Sequence, residues 1–236
     1  MKTCVLTCLF SVSLCFSQDY PLWFIRQGDL PCAKTVVGYV HASSYRDSAA
    51  AYALRQAETT YQRQALMKIS GSQSFWATEA GTFWMGSDVK EEYDTAAHAA
   101  LVPIDTVTVH GLVLVLASPT GCDAAQARGV ISLKGRTAPG WTETLPRDAM
   151  NHYAVGVAPE YFYEKSSWDE AERLARRNLA RTVCSTMKSL QKASLTEAQD
   201  IRYEELSVLL QDYHVRERWF DAGKKLFYVL VSMQRD

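Results

Sequence analysis

Five histidines, His41, His98, His110, His152 and His214, are scattered along the chain and share no H-x-H, HxxH or HExxH spacing, so the side chains best suited to bind a metal are not arranged to do it. His110 falls in an expected turn and His152 beside an expected strand, where a polar surface role is the plainer reading. No G-x-S-x-G nucleophile turn, phosphate-binding loop or dinucleotide fingerprint occurs. The acid pairs Glu91-Glu92 and Glu204-Glu205 fall on segments read as helices, where they form solvated faces. The sequence therefore assigns no catalytic residue, no metal ligand and no cofactor, and enzymatic activity would require a site assembled only in three dimensions.

Cysteines are the next reactive side chains, and their meaning depends on the first residues. Met1 to Ser17 carries one early charge, Lys2, then the apolar run Cys4 to Leu14, and ends in small residues before Gln18, which is the layout of a secretory leader. It is shorter than the roughly 20 apolar residues needed to span a bilayer. Cleavage after Ser17 is expected; the competing cut leaves Cys15 as a lipidated first residue, although Leu14 is bulky for such a signal. Without the leader, Cys32, Cys122 and Cys184 remain. In an exported chain these make one disulfide, Cys32 with Cys122, plus one buried thiol, or else three unpaired thiols.

Two surface features carry binding chemistry. Phe75-Trp76 and Phe83-Trp84 flank a short Gly-containing connection between expected helices, and four large aromatics there form either a docking patch or filler for the seam between two halves. Arg173, Arg177 and Arg181 recur at a helical spacing of four and form either a basic face for an acidic partner or phospholipid, or a solvated face partly paired by Asp169 and Glu172.

The elements that position these residues come in two copies. Pro21-Leu22-Trp23 recurs as Pro139-Gly140-Trp141, and Val37-Gly38-Tyr39-Val40 as Val155-Gly156-Val157-Ala158, both 118 residues later. In the second copy, Tyr153–Ala158 reads as a buried strand. Ser167-Trp168-Asp169-Glu170 fits a capping box opening a helix of about 22 residues, with apolar Trp168, Ala171, Leu174, Ala175, Leu179, Val183, Met187 and Leu190 in steps of three and four. Thr196–Leu210 reads as a second helix, Tyr213–Trp219 and Leu226–Met233 as a closing pair of strands. The first copy repeats the plan: a long helix using Ala49, Ala53, Ala57, Tyr61, Ala65 and Ile69 and stopped at Gly71, a second helix at Ser87–Leu101, and strands at Ile104–Val109 and Leu112–Ala117. The expected fold is α+β: two tandem units, each strand-helix-helix-strand-strand, with a small antiparallel sheet packed on a long helix. Residues 1–17 form the leader, 18–118 the first unit, 119–138 a connection in which Val130–Leu133 can form a short strand, and 139–236 the second unit.

The P-x-W motif, the Val-Gly strand, the run Ser167 to Arg181, Trp219 and Phe227–Val231 together resemble the bacterial outer-membrane lipoprotein family typified by the Helicobacter antigen Lpp-twenty, a group that includes the N-terminal domain of flagellar assembly protein T. The likeness covers nearly all of the second copy and little of the first. It implies a dodecin-like unit in an exported envelope protein of the periplasm or outer-membrane periphery, with flagellar or outer-membrane protein partners, and it transfers no catalytic residues.

Composition narrows the field further. The 236 residues include 25 Lys+Arg against 26 Asp+Glu, for a formal net charge of −1, with 47% hydrophobic residues. That balance lacks the concentrated basic surface of a nucleic-acid binder, and no later apolar run is long enough to span a membrane. The expectation is a non-enzymatic interaction or assembly protein of the cell envelope. The alternative is a small-ligand binder whose cleft lies between the copies, where Trp23, Trp141 and the aromatic connection would converge.

Overall fold

A computed structural model describes residues 19–32, 34–45, 48–78, 81–95, 99–121, 128–191 and 201–235. It is an α+β structure of small antiparallel sheets and two long helices. The first copy runs through β1 (Asp19–Pro21), α1 (Leu22–Ile25), β2 (Val36–His41), α2 (Ala42–Tyr45), α3 (Ala49–Ala65), β3 (Leu66–Thr78), β4 (Gly81–Tyr93), β5 (Val102–Val109) and β6 (Leu112–Ser118). After β7 (Val130–Ser132), the second comprises β8 (Asn151–Pro159), α4 (Glu164–Gln191), β9 (Ile201–Gln211), β10 (His214–Asp221) and β11 (Leu226–Gln234).

Each copy builds the same three-stranded sheet. In the first, β6 is central between β2 and β5; in the second, β11 is central between β8 and β10. The long helix crosses one face of each, and both crossings depend on a glycine where helix and strand nearly touch: Gly38 under Ala53 and Ala57, Gly156 under Ala171 and Ala175. The correspondence extends to the backbone. The N–H of Ala42 donates to the carbonyl of Gly111 (2.7 Å) in one copy, and that of Glu160 to Lys225 (3.0 Å) in the other. The turn closing each hairpin uses a residue with positive φ, His110 at 48° and Lys225 at 54°. Each penultimate strand also has a register irregularity, between Pro103 and Asp105 and between Val215 and Glu217.

The long helices form for the expected reason. Trp168, Ala171, Ala175, Leu179 and Val183 are buried along one stripe of α4, and Ala49, Ala53 and Ala57 along α3. Two boundaries differ. The α4 helix starts at Glu164, three residues before the expected cap, and Ser167 instead accepts a hydrogen bond from the Tyr161 amide (2.8 Å). The α3 helix stops at Ala65 rather than Gly71, because Leu66 and Lys68 face out while Met67 and Ile69 are buried, the period of a strand.

The larger correction concerns the second helix expected of each copy, since among the described residues Ser87–Tyr93 of the one and Ile201–Leu210 of the other are strand. These stretches belong to β4 and β9, which flank β3 in a third sheet of order β4-β3-β9. Buried Val208 and Leu210 alternate with exposed Ser207 and Leu209, and the ladder partners offered by β3 outweigh local helix propensity. This sheet takes two strands from the first copy and one from the second. The connection is likewise woven in, because Val130–Ser132 pairs antiparallel with Asp19–Pro21.

Apolar packing follows the same plan. Val36, Val40, Val113, Val115 and Ala117 face α3 and close a small alanine-rich core. On the opposite face of that sheet Val37, Tyr39, Leu112, Leu114 and Leu116 join a continuous core with Tyr20, Phe24, Trp168 and Phe227. The two copies therefore share one main core, with α4 between the first sheet and the second.

Candidate functional site

The residues singled out by sequence are distributed differently from expectation. Phe75, Trp76, Phe83 and Trp84 do not lie in a connection between helices; they stand in paired strands, with Phe75 opposite Trp84 and Trp76 opposite Phe83 near the end of the β3–β4 hairpin. The arginine stripe is not an open basic face. Arg173 donates to Glu170, Arg177 reaches the Val89 carbonyl (3.1 Å) and lies 3.5 Å from Glu91, and Arg181 donates to Asn178 (2.7 Å). The partner missing from the sequence reading was Glu91, which also holds Arg176 at 2.9 Å and arrives from β4, 85 residues away.

Nor do Trp23 and Trp141 converge on a cleft between the copies. Each is buried on its own sheet and donates its indole N–H to a carboxylate beside the irregularity in the penultimate strand: Trp23 to Asp105 (2.8 Å), Trp141 to Glu217 (2.9 Å). They are paired structural anchors. Cys32 is disulfide-bonded and Cys184 is a free, buried thiol; Cys122 and Cys15 lie outside the described residues, as does His98.

Two polar joints tie the copies together. Arg218 on β10, only 1% exposed, pairs with Glu172 of α4 (2.7 Å) and also donates to the Phe24 carbonyl (2.9 Å) and to Gln27 (3.1 Å). At the start of α4, Glu164 accepts from Tyr20 (2.7 Å) and Trp168 (2.9 Å) and lies 3.4 Å from His110. Burial, reinforced by the Glu164 charge, pushes the Tyr20 hydroxyl well above its ordinary range, so it remains a proton donor.

Beside this joint lies a feature that sequence reasoning missed. The β8–α4 loop presents three consecutive aromatics to solvent: Tyr161 at 43% exposure, Phe162 at 93% and Tyr163 at 51%. With Ser166, Asp169, Glu170 and Arg173 they line an open cleft of about 550 Å³. The loop is held from several sides. Glu160 and Tyr161 amides are bonded to Lys225 and Ser167, Ser166 donates to the Tyr163 carbonyl (2.9 Å), and the Tyr163 ring meets His41 of the first copy edge-on at 5.0 Å. Both lining carboxylates are ion-paired, Glu170 with Arg173 inside the lining and Asp169 with Lys165 beside it. Hydrogen bonding to Glu170 raises Arg173 further above its ordinary value, fixing it as a cation. The available signal was the run Tyr161-Phe162-Tyr163 just after Pro159, where a strand must turn into a helix.

Comparison with protein-family models, with curated proteins and with solved structures finds no match for the chain. Among the described residues no group of three or more His, Cys, Asp and Glu is placed to hold a metal, and no helix is long and apolar enough to cross a membrane, which does not bear on a β-barrel.

Proposed function

We propose that the protein is an exported, non-enzymatic interaction module of the cell envelope, and that the Tyr161–Tyr163 loop with its cleft is its contact surface. The observation that carries this reading is the exposure of Phe162, because a fully solvated Phe beside two half-exposed Tyr on a fixed loop gains free energy only when something covers it. The leader-like first residues and the disulfide at Cys32 support an oxidising compartment, the periplasm or outer-membrane periphery. The resemblance to the outer-membrane lipoprotein family supports the same address.

A photo-crosslinking residue at position 162, compared with one at exposed Glu58 on α3, tests the reading in cells. The expected result is an envelope-fraction protein that forms discrete adducts from position 162 and none from position 58. A cytosolic distribution, or equal adducts from both positions, would sink it. A second reading, a small-ligand binder, is favoured by the same cleft, which is lined by aromatic and hydrogen-bonding groups.

A further inference from the structure

Resting on the reading that the Tyr161–Tyr163 loop is a contact surface, we propose that the cleft beside it binds an uncharged saccharide. Three properties point to that chemistry. The first is the apolar component. Phe162 offers a solvated ring beside two half-exposed tyrosines, and a pyranose presents flat C–H faces of a size to cover it. Their loop is bonded at Glu160, Tyr161 and Ser166 and braced against His41, so little order is lost when a ligand lands.

The second is the mixture of polar groups. Arg173 spends two of its N–H groups on Glu170 and keeps others as donors, while Glu170 retains free lone pairs and the Ser166 hydroxyl can act both ways. A sugar hydroxyl is itself donor and acceptor, and adjacent hydroxyls match an Arg–carboxylate pair; a phosphate or an ammonium group would satisfy only half of the set. The third is charge. Asp169 is paired with Lys165 and Glu170 with Arg173, so neither lining carboxylate is left as an uncompensated charge to favour an ionic ligand. The cleft is open rather than enclosed, which admits a residue within a longer glycan chain.

The full chain, isotope-labelled, is titrated up to about 10 mM with trisaccharides of N-acetylglucosamine, glucose, galactose and mannose, a range that captures the weak affinities of shallow sites. Expected are chemical-shift changes confined to residues 160–173 with at least one of the four, and affinity lowered by about tenfold or more in Phe162→Ser. Tyr161→Ser serves as a second variant, and thermal melts coincident with the parent establish that both fold. No shifts with any of the four sugars, or binding unchanged in both variants, overturns the saccharide assignment. Adducts from position 162 without sugar binding would do the same and leave the interaction reading standing; sugar binding without protein adducts supports it.

Discussion

A methyl group added to Gly156 would stand 1.9 Å from the carbonyl oxygen of Ala171, and one added to Gly38 would stand 1.9 Å from that of Ala53. The second contacts match too, at 2.3 Å from the Ala175 and Ala57 amides. These glycines lie 118 residues apart, as do the alanines above them. Helix and strand therefore meet through the same backbone contact in both copies. Gly156→Ala and Gly38→Ala must push the helix off its sheet, and each is expected to cost about 3 kcal/mol or more, at the upper end of overpacking changes. Gly140→Ala, with no atom near its added methyl, is expected to leave the urea midpoint unchanged. Equal midpoints for all three variants would show that the close approach is relaxed in solution.

Arg218 is the main polar tie between the copies. Replacing it with Met leaves Glu172 buried without its cation and Gln27 and the Phe24 carbonyl without a donor, and is expected to lower stability by about 3–5 kcal/mol. The double variant Arg218→Met with Glu172→Met removes both charges and is expected to recover most of that loss. A cycle of denaturant titrations measures the coupling, and a double variant as unstable as the single would assign the loss to the other Arg218 partners.

Acid and alkali act on different groups. Asp148 accepts from the Tyr153 hydroxyl and from the amides of Met150 and Asn151, and these bonds, Tyr153 first, hold its carboxyl down at about 2. A carboxyl depressed in the folded state stabilises above its unfolded value near 4 and loses that contribution as pH falls through about 2. Asp148→Asn is therefore expected to flatten the acid limb of a plot of melting temperature against pH. Tyr213 has the opposite sign, because burial pushes its hydroxyl up to about 12. Its contribution is complete below the unfolded value near 10 and fades as pH rises through about 12, so Tyr213→Phe is expected to flatten the alkaline limb. Unaltered limbs in these variants would assign the pH dependence to other groups.

Thiol chemistry separates Cys32 from Cys184. Reduction is expected to lower stability by about 2–4 kcal/mol through release of the disulfide at Cys32. Cys184, buried on α4, is expected to resist a water-soluble thiol reagent until denaturant is added. Prompt labelling of Cys184 in native buffer would mean that this part of α4 opens readily.

The legible part of this fold is what local spacing controls. Strand β8, the hairpins β5–β6 and β10–β11, and the stripe from Trp168 to Val183 all show their period within a short window, and the repeated Val-Gly strands mark the edge strands of the two matching three-stranded sheets. What escaped depends on partners far away in sequence. Segments containing Glu91-Glu92 and Glu204-Glu205 are rich in helix formers and become strands because β3 pairs with both. Arg177 reads as a surface cation until Glu91 is brought beside it. The candidate site was hidden for a different reason: an aromatic run in a sequence suggests core, and only the fold places Phe162 in water.

Pairing of Leu66 with Gln211 also governs the order in which the molecule can be completed. Strand β3 is synthesised early, yet one of its edges must await β9 near the other end of the chain, with the intervening loop closed at an entropic cost. Until then an edge of unpaired backbone groups is open to other chains, a hazard for any fragment ending after the first copy. A protein severed between the copies would face the reverse situation, since the shared sheet and the common core would keep the two pieces together.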